Sequence, residues 1–68
     1  MISEYDRTHI YEILQGHGTW FSAMLIRLIE HADTENREKL RQAYPEHVGA
    51  FEDWNQKTGL YANRKDEP

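Results

Sequence analysis

Trp20-Phe21-Ser22-Ala23-Met24-Leu25-Ile26-Arg27-Leu28-Ile29-Glu30-His31-Ala32 is the stretch that decides the fold. Its apolar residues recur at intervals of three and four, the period of a helix rather than of a strand. On a helical wheel the polar sector holds only Arg27 and Glu30, with Ala23 between them. Trp20, Phe21, Met24, Leu25, Ile26, Leu28, Ile29 and Ala32 sweep more than half of the circumference. A helix apolar over so much of its surface is expected at the centre, packed by neighbours on several sides. The same arc is more than a chain of 68 residues easily covers.

Working outward, Thr19 is the expected N-cap of this helix, which spans about 19–32. Before it, Gly16-His17-Gly18 ends a first helix of about 4–15, capped by Ser3 and carrying Ile10, Ile13 and Leu14 as its apolar stripe. After it, Asp33 caps a third helix of about 34–44, whose Glu35 and Lys39 sit four apart. Only Leu40, Ala43 and Tyr44 make a buried stripe there, so this helix is expected on the outside. Pro45 cannot continue a helix but suits the first position of a new one. A fourth helix, about 45–57, places His47, Val48, Ala50, Phe51 and Trp54 on one arc, with Glu46, Glu52 and Asp53 towards water. Thr58-Gly59 stops it. The reading is an all-α bundle of three to four short helices, a single domain over 1–59 with a polar C-terminal tail over 60–68 that is expected to fray.

Composition narrows the functional classes. The apolar fraction is 38%, and twelve acids against eight bases give a net charge of −4. A duplex-binding domain needs a basic face, and only Arg37-Glu38-Lys39-Leu40-Arg41 approaches one. A helix–turn–helix reading of Asp33 to Trp54 would point Glu46, Glu52 and Asp53 at phosphate, so nucleic acid is disfavoured as a partner. There is no cysteine, hence no disulfide and no thiolate metal site. The N-terminus lacks a basic end followed by an apolar run, and Ala23-Met24-Leu25-Ile26 is interrupted by Arg27. A soluble, cytoplasmic chain without a membrane partner is expected.

Residues that could carry chemistry do not converge in the sequence. Asp6, His9 and Glu12 lie three apart on one helical face, but metal sites in bundles need several such pairs from different helices. His17 lies in the glycine turn, where a structural role outweighs a catalytic one, and His31 and His47 have no acid three residues upstream. Ser3 and Ser22 have no expected His–acid relay, the first being terminal and the second on the mainly apolar helix. Gly16-His17-Gly18 is too short for a phosphate loop and has no strand before it. No catalytic residue, cofactor or metal ligand is expected, and the chain is read as not an enzyme.

The aromatics are generous at 12%. Trp20, Phe21, Phe51 and Trp54 fall at core spacing, whereas Tyr5, Tyr11 and Tyr61 are not needed there. Tyrosine and tryptophan are favoured at interfaces, so Tyr5, Tyr11, Trp54 and Tyr61 are the candidate partner-binding residues. The competing reading lays each tyrosine flat over a neighbouring helix with its hydroxyl wet.

From Gly16 to Trp54 the text resembles small helical proteins of actinobacterial phages and prophages. The resemblance lies in Gly16-His17-Gly18-Thr19-Trp20-Phe21, Leu25-Ile26-Arg27-Leu28-Ile29, Ala32-Asp33 with Asn36-Arg37, and Ala43-Tyr44-Pro45-Glu46 followed by Val48. It carries no chemistry. What it implies is a phage origin, a place in the host cytoplasm, and action by docking onto a host protein. Together these readings give a non-catalytic protein-binding module, with a homodimer as a natural accompaniment. A helix–turn–helix-like DNA-binding regulator and an accessory subunit of a larger assembly are the competing classes.

Overall fold

The computed structural model describes residues 2–60. They form five helices and, among the described residues, no strand: α1 (Glu4–Thr8), α2 (Ile10–Leu14), α3 (Phe21–His31), α4 (Thr34–Ala43) and α5 (Pro45–Thr58). The all-α bundle is as read from the sequence, with one helix more than expected. Tyr61 and the expected tail from 61 onward lie outside the described residues.

The extra helix comes from a break at His9. Ser3 caps α1 as expected, its hydroxyl accepting from the Asp6 amide at 3.0 Å. At the other end the Thr8 hydroxyl donates to the carbonyls of Glu4 and Tyr5, and the His9 ring Nδ1 lies 2.7 Å from the Tyr5 carbonyl. With that carbonyl occupied, the His9 amide turns to Asp6 instead, 3.2 Å away. Side chains competing for backbone acceptors in this way interrupt a helix. The single helix expected over 4–15 is therefore two short ones.

The core forms where α3 packs on α2 and α5, while α4 packs on α5 and barely touches α3. Ile10 and Ile13 from α2, Ala23, Ile26 and Ile29 from α3, and Val48 and Phe51 from α5 are almost wholly buried, with Ile2 and Ala50 close behind. Each large aliphatic or aromatic side chain so enclosed stabilises the fold by about 1.5–3 kcal/mol. Leu14, Leu40 and Trp54 pack against this cluster from its edge.

Several local expectations need correction. Trp20, not Thr19, precedes the first residue of α3, and no side chain caps that end. The indole of Trp20 donates to Asp6, a tertiary bond made at the residue where α3 begins. On α4 no residue is buried, and Ala43 and the following Tyr44 are exposed, because the helix packs chiefly on α5, with Leu40 against the core. Glu52 is not simply turned to water. It accepts two hydrogen bonds from Arg41, at 2.7 and 2.8 Å, which ties α4 to α5. The Arg41 guanidinium holds the Glu52 carboxyl below the usual carboxylate range, and the two carboxylates Glu52 and Glu38 raise Arg41 in turn. Both partners of the Arg41–Glu52 pair are about one-third exposed, so after screening it contributes on the order of 1 kcal/mol or less. Asp33 caps α4 as expected, accepting from the Asn36 amide at 2.9 Å, and Gly59 closes α5 at a positive φ of 73°.

Candidate functional site

The helix that decides the fold is held rigidly at both ends. In the turn before it, Gly16 and Gly18 take φ of 106° and 94°. A Cβ at Gly18 would overlap the Trp20 ring, which lies across that backbone. The Trp20 indole N–H donates to the buried Asp6 carboxylate at 2.8 Å, and its ring meets Tyr5 edge-on at 6.0 Å. Arg27 donates to the carbonyls of Ile13, His17 and Gly18 at 2.8, 3.1 and 2.6 Å, so one guanidinium gathers the α2–α3 turn. Beyond the C-terminus, Arg37 donates to the carbonyls of Ile29, Glu30 and Ala32 and lies over the Phe51 ring at 5.3 Å.

Between these anchors α3 is two-faced. Ala23, Ile26 and Ile29 are fully buried, yet Phe21, Met24 and Leu28 remain 63%, 56% and 53% exposed. The expectation of a helix covered on several sides is thus corrected: α2 and α5 cover one side, and α4 leaves the other open. Phe21 and Trp20, read as core, are at the surface. Phe21, Met24 and Leu28 stand around the buried Leu25 to form a shallow depression of about 370 Å³ that no charged side chain lines.

A groove lies at either end of this depression, the first between the start of α3 and the α4–α5 junction, the second between α3 and α4. The first, about 420 Å³, is lined by Phe21, Ser22, Ala43, Tyr44, Pro45, Glu46 and His47. Phe21 and Tyr44 tilt together across it at 5.7 Å. The second, about 450 Å³, shares Leu28 with the central depression and adds His31, Ala32, Asp33, Asn36, Lys39 and Leu40.

The first groove contains a pairing that sequence reasoning missed. Ser22 Oγ lies 3.0 Å from His47 Nε2, across 25 residues of chain. Sequence reasoning sets Ser22 beyond reach of any histidine, because nothing local shows that α5 returns beside the first turn of α3. His47 is buried and presents its ring edge-on to Tyr44 at 6.0 Å. Burial pushes its pKa below the ordinary imidazole value, while the carboxylates of Asp6 and Glu46 pull it back up. Its bond to Ser22 joins α3 to α5.

The other residues singled out in the sequence are dispersed. Tyr5 is exposed and stacks on His9 with centroids 3.8 Å apart. Tyr11 is exposed on α2. Trp54 is half-buried on α5, tilted against Phe51, and lines a small recess with Arg7, Ala50, Asp53 and Lys57. Tyr61 lies outside the described residues. Of the triplet Asp6, His9 and Glu12, Asp6 turns inward to Trp20 and His9 turns to Tyr5. Among the described residues no group of three or more His, Asp or Glu side chains is placed to hold a metal ion. No helix among them is long and apolar enough to cross a membrane. Comparison with protein-family models, curated proteins and solved structures finds no match to this chain.

Proposed function

We propose that the chain is a non-catalytic protein-binding module that recognises its partner through the open side of α3. The observation that carries this reading is the exposure of Phe21, Met24 and Leu28 on a helix whose opposite side is fully buried. Grouped apolar side chains left in water on a small domain mark a contact surface, and a grooved one suits a helix laid along it. Tyr5, in edge contact with Trp20, and the dispersed Tyr11 and Trp54 would each form contacts of their own. The resemblance over Gly16–Trp54 refines the reading to a phage-encoded modulator of a host protein, acting in the host cytoplasm.

The basic residues speak against the DNA-binding alternative. Arg37 is engaged on the end of α3 and Arg41 on Glu38 and Glu52, so the one basic cluster of the sequence is largely committed within the fold. The test is capture from an actinobacterial lysate by the immobilised native chain and by the double variant Met24→Glu, Leu28→Glu. A stoichiometric protein retained by the first and lost by the second, at equal far-UV circular dichroism, supports the reading. Equal retention by both overturns it.

A further inference from the structure

We infer that the open side of α3 is also a self-association surface, on which a second copy of this chain packs antiparallel across a twofold axis near Met24. This rests on the docking reading above and names a partner for the same face. Phe21, Met24 and Leu28 follow one another at intervals of three and four, so they form one straight stripe, the seam along which two helices pair. A twofold interface joins a surface to itself, so the surface must not repel its own copy. The central depression meets that condition, because its lining is wholly apolar although the chain carries a net charge of −4.

The two ends decide the direction. In the groove at the N-terminal end of α3 the one carboxylate is Glu46, whose Oε1 also accepts from the Ile2 amide at 3.1 Å. The groove at the C-terminal end carries the cation Lys39, which forms an exposed pair with Glu35 at 3.7 Å, and its Asp33 carboxylate is engaged in capping α4. Antiparallel packing sets Glu46 of each copy towards Lys39 of the other, and it opposes the two helix dipoles. Parallel packing would bring like ends together. Area sets the strength of the pairing. At about 150–250 Å² for a fully presented large side chain, the exposed parts of Phe21, Met24, Leu28 and Tyr44 amount to roughly 400 Å². A standard interface takes about 800 Å² from each side, so a dimer through this stripe belongs to the weak, concentration-dependent class.

The absence of cysteine makes a direct test available. Sedimentation equilibrium of the native chain from micromolar to millimolar concentration is expected to give a mass rising towards about twice the 8.1 kDa chain mass. Met24→Glu with Leu28→Glu is expected to weaken the dimer about 100-fold or more, since carboxylates would be buried without partners. As a check independent of that variant's folding, Phe21→Cys and Leu28→Cys chains are mixed under mild oxidation. The antiparallel arrangement predicts a mixed disulfide, joining position 21 of one chain to position 28 of the other, in preference to either same-site crosslink. A native chain that stays monomeric up to millimolar concentration overturns the inference, as does a preference for same-site crosslinks. If the monomeric chain still loses a captured protein on Met24→Glu, Leu28→Glu substitution, self-association falls while the docking reading stands.

Discussion

The two sides of α3 are built from the same kinds of residue and meet opposite fates. Ile26 and Ile29 are enclosed by α2 and α5, whereas Met24 and Leu28, one or two positions away in sequence, stand in water. Hydrophobicity alone does not separate them. The difference is which side a neighbouring helix reaches: α4 follows α3 directly in the chain but leans mainly on α5 and meets α3 through Arg37 at its C-terminal end, so the stripe stays open. Apolar content thus reports how much surface benefits from cover, while topology reports which part receives it within one chain.

The largest effect that probes this contrast comes from truncating each side in turn. Ile26→Ala should destabilise the fold by about 2–5 kcal/mol through lost burial and a cavity. Met24→Ala should change it by no more than about 0.5 kcal/mol at concentrations where the chain is monomeric. Urea denaturation at low micromolar concentration checks both, and equal costs would erase the distinction between the sides. Next in size is the turn that leads into α3. Gly18→Ala combines a positive φ with overlap on the Trp20 ring, and should cost about 1–3 kcal/mol. The same variant should alter tryptophan fluorescence as the Asp6–Trp20 bond loosens.

A smaller effect concerns the seam where the two sides meet, at the Ser22–His47 bond. The folded chain holds the His47 pKa below its ordinary value of 6.5, so the unfolded chain takes up a proton first as the pH falls. Its contribution to stability is whole above pH 6.5 and declines as the pH drops from there towards the folded pKa. Thermal melts of the native chain should show this decline, and His47→Gln should flatten it in that window. Glu52, held below its ordinary 4.5 by Arg41, adds a separate loss at lower pH. Smallest of all is the effect of the exposed Glu35–Lys39 pair on α4 at concentrations where the chain is monomeric. Lys39→Ala should cost no more than about 0.5 kcal/mol in thermal stability, and less in high salt.

Much of this architecture is legible along the chain. The helices start and stop where short-range chemistry acts: Ser3 and Asp33 accept amide hydrogens three residues on, Pro45 opens α5, and glycines at 16 and 59 take positive φ. These are interactions within a few residues, so neighbouring letters suffice to read them. The candidate surface is legible only as a surplus. The excess apolar arc of residues 20–32 is evident in the sequence, but its open members Phe21, Met24 and Leu28 look no different from its buried ones.

By itself, then, the sequence determined an all-helical chain, the caps Ser3 and Asp33, the core residues Ile10, Ile13, Val48 and Phe51, and an apolar surplus on the central helix. Tertiary structure alone decided that Asp6 receives Trp20, that Arg27 and Arg37 clasp the two ends of α3, that Ser22 meets His47, and which stripe of α3 stays open. The physical reason is range. Helix periodicity and capping are set by residues a turn apart, whereas the partner of a side chain 14 or 25 residues away depends on how whole helices lean on one another.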